Sequence, residues 1–346
     1  ERGSKPAPPT SGELVLKLTG TIPGSLCVGK PRRLRRGGCH LRRASAVGLA
    51  GVFAGCLGET APGGGDAATR PSPAETEPTA SALPPAGRTE WGREVDLGEG
   101  TVTTFTTADP SGETASHGVL LDRDALRGLP SAETLEAAGE DEFADKYGRT
   151  GGAAEIHTKW SLQFFVPFPS ASDTAITVLG FNWNPGGHPP EGVWTVPHFD
   201  VHFHMRPPEA VDSIAGPRAP EYSLPDRYVP EGYVRPPNES ARVVTDMGEH
   251  LFDPSAPEHD GGAFTNTLIW GVADGGDGVG ELSFVEPMIT RAFLRDHTGT
   301  DRRTIAQPDT YRSAGTYPTA YAVRDVPDRE AIAVVVADFE RFEGED

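Results

Sequence analysis

A mainly β fold, built as a β-sandwich or barrel-like single domain with one or two short helices, is what this sequence predicts. Three observations carry that reading. Runs rich in Val, Thr, Phe and Trp alternate apolar and polar residues, Gly- and Pro-rich turns separate them, and one stretch alone keeps a sustained helical pattern.

The globular part begins at Trp91. "TVTTFTTAD" (101–109) is the first strand, and a helix is expected over Ser131 to Tyr147 with Ser131 as its N-cap. "KWSLQFFVPF" (159–168) and "DTAITVLGFNW" (173–183) follow as strands, then "VWTVPHFDVHFHM" (193–205) after a Gly/Pro loop. Residues 206–240 carry eight prolines and read as a long surface excursion. "GAFTNTLIWGV" and "GELSFVEPMI" form a hairpin around "ADGGDGVG", "TRAFLRDH" is a helical turn or two, and "TYPTAYAVRDV" with "EAIAVVVADFERF" closes the chain as a strand pair.

The chain holds 50 acidic residues against 31 basic ones, and Lys occurs only at positions 5, 17, 30, 146 and 159. An acidic surface poor in lysine suits a protein working in high salt, where counter-ions screen carboxylate repulsion. It argues against nucleic acid as a partner, because phosphate binding needs clustered cations. Basic residues gather before position 44, in "PRRLRRGGCHLRRASAVGLAGVFAGC". The apolar run from Ala44 to Gly55 is too short to span a bilayer and fits the core of a signal peptide. Arg42-Arg43 before it resembles a twin-arginine signal, and "FAGC" resembles a lipobox in which Cys56 receives the lipid. Together they resemble the export signals of haloarchaeal surface lipoproteins.

Residues 1–55 are thus read as an export signal. Their first thirty or so, without an initiating Met, read as an over-extended gene start or as unfolded chain. Cys27 and Cys39 lie upstream of the cleavage point, so the mature chain would keep Cys56 alone. Residues 56–90 follow as a lipidated cysteine with a tether that lacks core-forming side chains, and 91–346 as the β-rich domain. The expected location is extracytoplasmic, with the membrane met through the lipid.

Within "PHFDVHFHM" (197–205), His198, Asp200, His202 and His204 share one strand face, and Phe199, Val201 and Phe203 take the other. A row about 20 Å long cannot converge on one ion, so two or three of its members bind and other segments supply the rest. "MGEHLFD" offers His250 beside Glu249 and before Asp253; "FVEPMI" offers Glu286, a carboxylate in an apolar strand that is costly unless paired or metal-bound. His198, His202 and His250 are the expected nitrogen ligands of one divalent metal, with Glu286 or Asp200 as its carboxylate; the metal is most simply Zn²⁺, with Fe²⁺ or Mn²⁺ as alternatives. His157, next to Glu155, is a lesser candidate. His188 and His259 sit in loops and read as solvent-exposed. No catalytic residue is assigned: the sequence carries no nucleophile elbow, phosphate-binding Gly loop or CxxC.

"HFH" with Glu209 and Gly216 resembles the first cupin motif, yet Pro207-Pro208 interrupt the strand that should carry the glutamate. "HFH" also resembles the paired zinc histidines of α-type carbonic anhydrases, with nothing further in common. A longer resemblance covers about residues 115–300. The ordered motifs "PHFD-x-HF" (His198, Asp200, His202), "MG-x-H" (Met247, Gly248, His250) and "EPM" (Glu286, Pro287, Met288) resemble a family of uncharacterised exported proteins of bacteria and archaea. That family includes a Thermus protein controlled by an extracytoplasmic-function sigma factor. His204 stands where its pattern has an aromatic residue. The resemblance implies a β-rich domain, homo-oligomerisation and no established activity. Two functions follow: a surface lipoprotein with a His/carboxylate metal site, or a non-catalytic envelope or stress-related binding protein whose His/Asp row is structural.

After residue 55 the chain holds 48 acids against 21 bases. Their repulsion weakens as the Debye length falls from about 10 Å at 0.1 M salt to about 3 Å at 1 M. The melting temperature is therefore expected to rise between dilute and molar KCl; equal values would rule out salt adaptation.

Overall fold

Alternation in the sequence becomes two antiparallel sheets in the computed structural model, which describes residues 88–137, 155–157, 161–170 and 173–345. Six strands form one sheet: β1 (Thr89–Leu97), β2 (Gly100–Ala108), β3 (Thr114–Asp122), β12 (Thr300–Thr304), β13 (Gly315–Val326) and β14 (Ala331–Phe342). Their order is β1-β2-β3-β14-β13-β12. The other sheet holds β4 (Glu155–His157), β5 (Ser161–Pro167), β6 (Val178–Asn184), β7 (His198–His204), β8 (Val243–Val244), β9 (Gly248–Phe252), β10 (Asn266–Asp274) and β11 (Gly280–Thr290). Its order, β4-β5-β6-β7-β11-β10-β9-β8, places β7 near the middle.

The core lies between the sheets. Val102, Val119, Leu121, Val323 and Val334 meet Phe164, Phe181, Phe199, Phe203, Trp270 and Val285 there. Each such side chain is worth about 1.5–3 kcal/mol on burial, which fixes the register of every inner strand, since a one-residue slip would turn it outward. On β7 this sends Phe199, Val201 and Phe203 inward and the His/Asp row to the opposite face. That opposite face is buried too: Gln163, Asn182 and Asn184 join the row at 2% exposure or less. Trp194, Met247, Phe264, Ile269, Phe284 and Met288 form a second apolar cluster there.

The expected β-sandwich class holds, with three short α-helices among the described residues: α1 (Ala132–Ala137), α2 (Pro208–Asp212) and α3 (Arg291–Asp296). Ser131 caps α1 as expected, accepting from the Thr134 N–H at 3.2 Å. The expected continuation over 138–147 lies outside the described residues, as do Cys56, the export signal and the tether to residue 87. Among the described residues the first strand starts at Thr89, where Thr89 and Glu90 pair with Thr107 and Thr106. Two strands are shorter than expected. Residues 173–177 and 193–197 precede β6 and β7 as irregular chain, and the tight loop between them ends in Pro197. The proline-rich excursion is tied down by Arg235, whose guanidinium grips the buried Glu249 carboxylate with two 2.7 Å bonds.

A buried histidine joins the sheets. His117 Nδ1 lies 2.9 Å from Thr106 Oγ1, which donates onward to the Ser170 carbonyl at 3.0 Å, so Nδ1 carries the proton. Nε2 then accepts from Thr174 Oγ1 at 2.9 Å. Burial pushes this imidazole down to about 4, with Asp173 pulling weakly the other way. The unfolded chain therefore binds the extra proton between pH 6.5 and 4, and stability is lost as pH falls through that window. The difference in melting temperature between wild type and His117→Gln is expected to narrow from pH 7 to pH 4; a gap independent of pH would remove His117 as its cause.

Candidate metal centres

The strand register decides which ligands can meet. On β7, Asp200 faces Asn182 of β6 and Met288 of β11. Phe203 faces Val285, which brings Glu286, one residue on, beside His202. Across β10, Gly271 pairs with both Phe284 and His250, so His250 of β9 reaches the same face two strands away. Gly271 has to be small: a Cβ there would sit 2.2 Å from the Phe284 ring.

Two groups of three result. His202 Nε2 lies 3.4 Å from Glu286 Oε1, and His250 Nε2 lies 3.7 Å from Glu286 Oε2. His198 Nε2 lies 3.1 Å from Asp200 Oδ1, and His188 Nε2 lies 3.6 Å from Asp200 Oδ2. Within each group the ligand atoms stay within 4.8 Å of one another, and each could hold a metal ion. A tetrahedral ion with ligands at about 2.0–2.1 Å sets neighbouring ligand atoms about 3.3 Å apart. The four observed separations bracket that value.

The five residues expected around one ion thus fall into two separate groups, with His188 added to one of them. Asp200 lies against His198 and His188, whereas His202, two residues on along β7, lies against Glu286. Each turns to a different neighbour. His188, expected to be exposed, is also corrected: its side chain is 27% exposed and its ring turns in over β7. Gly187 makes that turn, with φ +69° and space so tight that a Cβ would lie 2.1 Å from the Trp194 carbonyl. A histidine following two glycines, ten residues before the row, was the available signal for it. His204 joins neither group. It stacks 5.5 Å from His202 and beside Phe284 at 5.4 Å. His259 packs between Trp194 and Phe252. Glu209 is exposed on α2, which removes the cupin-like ligand, and Asp253 caps a turn at the Ser255 N–H. The side chains of Glu155 and His157 lie outside the described residues.

Three of the histidines are oriented in the same way. A carbonyl can only accept, so His198 Nδ1–H donates to Val196 O at 2.7 Å, His188 Nδ1–H to Pro189 O at 2.9 Å, and His250 Nδ1–H to Gly248 O at 3.2 Å. Each ring then aims Nε2 at a carboxylate. This is how ligating histidines are held, one nitrogen anchored to the backbone and the other presented to the ion. Asn184 Nδ2 steadies Asp200 by donating to Oδ2 at 2.8 Å.

Charge follows from burial. Burial opposes ionisation of Asp200, but the neighbouring His198 and His188 outweigh it and hold the carboxyl well below its usual range. Glu286 moves the other way: burial and then the negative charge of Asp200 push it well above the carboxylate range. Burial, then the charge of His250, lowers the His204 ring to about 3, so it stays neutral. Burial also works against the charge on His188, yet Asp200 raises it overall.

A groove of about 540 Å³ beside Gly98, Gly128 and Leu162 lies elsewhere, with Asp96 as its one carboxylate and no histidine. Comparison with family models, with curated proteins and with solved structures found no match.

Proposed function

We propose that this protein is an extracytoplasmic, lipid-anchored metal-binding protein whose centre is formed by His202, His250 and Glu286. The observation that carries the reading is Glu286, 1% exposed, with two imidazole nitrogens at 3.4 and 3.7 Å and no Lys or Arg against it among the described residues. The ionised form in that setting is costly unless a cation meets it, and without one burial drives the group toward its protonated form. Two nitrogens and an oxygen suit Zn²⁺ and equally the Fe²⁺ of two-histidine, one-carboxylate sites, with Mn²⁺ a further fit. Three protein ligands leave a position for water or a small ligand, as in catalytic rather than structural zinc sites. His250 is 21% exposed and marks the side from which that ligand would enter.

Export and anchoring rest on "RRASAVGLAGVFAGC" (42–56). Cys56→Ser is expected to move the protein from membrane to soluble fractions with the domain still folded; identical fractionation would end the lipoprotein reading.

For the metal, the untagged full-length chain is dialysed and its bound metal measured. His250→Ala and Glu286→Gln are each expected to lose one equivalent per chain relative to wild type, with affinity for added Zn²⁺ down at least about a hundredfold. Unchanged metal content in both variants would leave the row as a hydrogen-bonded structural network.

A further inference from the structure

We propose that His188, His198 and Asp200 hold a second divalent cation, in a site that shares no residue with the first and does not depend on it. The decisive contact is that of His198 with Asp200. Nε2 and Oδ1 lie 3.1 Å apart and are buried, yet no well-aligned N–H joins them or reaches either from another group. A plain imidazolium–carboxylate pair would align an N–H on the oxygen at this distance. In the neutral ring His198 Nδ1 spends the one proton on Val196 O, so Nε2 presents a lone pair to the carboxylate. Two acceptors side by side in a buried site repel, and a cation between them turns both into ligands.

The third ligand is built in. His188 is carried by a loop that folds back on itself, its N–H 3.3 Å from the Trp194 carbonyl. Gly187 allows the turn, and the His188 ring stands edge-on to His198 at 4.8 Å and to Trp194 at 5.8 Å. Its Nδ1 is tied to Pro189 O, which leaves Nε2 facing Asp200. Phe264 closes the other side of His198 at 5.3 Å. Asn184 donates to Oδ2, the oxygen that faces His188, giving Asp200 the supporting bond that ligating carboxylates usually have. Two imidazoles and one carboxylate select a borderline ion of the Zn²⁺, Co²⁺ or Cu²⁺ kind over Mg²⁺ or Ca²⁺, which prefer oxygen alone. Because His188 belongs to the loop and the other two ligands to β7, the ion would also fasten residues 185–197 to the sheet.

The untagged full-length chain, stripped with chelator and titrated with Co²⁺ or Zn²⁺, tests this. Wild type is expected to bind two equivalents, His188→Ala one, His250→Ala one and the double variant none. Asp200→Asn, which keeps the side-chain volume, is expected to match His188→Ala. Amide exchange of residues 185–196 is expected to slow on metal addition in wild type and in His250→Ala, and to stay unchanged in His188→Ala. If one equivalent binds and only His250→Ala removes it, the second site does not exist and the first survives. If one equivalent binds and only His188→Ala and Asp200→Asn remove it, the second site stands and the first falls. Metal content at the wild-type level in both His188→Ala and Asp200→Asn overturns the second site whatever the first does.

Discussion

Two carboxylates buried on one sheet face, with imidazoles as their partners, set the terms for the rest of this molecule. Asp200 and Glu286 are 4% and 1% exposed, and among the described residues no Lys or Arg pairs with either. The same sheet shows how the protein treats a buried carboxylate with a structural task. Glu249, on the opposite face from His250, is fully enclosed and met by the two-pronged guanidinium of Arg235. Arginine stays charged at any working pH and needs no other partner. Imidazole can be a neutral nitrogen ligand, and where this fold buries Asp200 and Glu286 it offers imidazole instead.

That choice depends on a sheet covered on both sides. An antiparallel sheet with one wet face would leave its polar row in water, where histidine and aspartate need no special arrangement. Here Phe284 packs edge-on against His202, His204 and His250, and Phe264 and Trp194 close over His198 and His188. The aromatic cover lowers the local dielectric and so raises the cost of an unmatched charge. Small residues make room under it. At Gly180 a Cβ would stand 2.7 Å from His204 Nε2, so the row lies closer to β6 than any side chain there would permit.

The fold was legible where side-chain periodicity carries it. The β10–β11 hairpin and the β13–β14 pair lie nearly where the alternation of apolar residues puts them, because burial on the inner face enforces the period. β1, β3, β4, β8, β9 and β12 were not read. "TASHGVLLD" mixes small, polar and apolar residues, and "GEHLF" is short and charged, so neither shows the pattern strongly. For the candidate sites, the row on β7 and the contributions of His250 and Glu286 were legible from residue type and spacing. Their division into two groups was not, since it follows from β11 and β9 lying to one side of β7 and a loop closing from the other. Strand order is a long-range property that local periodicity does not encode. His188 escaped for a related reason: a Gly-Gly-His-Pro-Pro segment reads as an exposed turn until its tight backbone is seen to bring the ring inward.

The two groups differ in how far apart the chain holds their members. His188, His198 and Asp200 fall within a single β-hairpin, the first and the last 12 residues apart, while His202 and Glu286 are 84 residues apart. Loop-closure entropy grows slowly with length, and this sevenfold difference costs the wider group roughly 2 kcal/mol more to assemble. The nearer group takes shape as soon as β6 and β7 pair, whereas the wider one waits for β9, β10 and β11 to be made and docked. During synthesis from the N-terminus, the hairpin's three ligands leave the ribosome well before Glu286 does, so the two halves of the polar face mature in sequence rather than together.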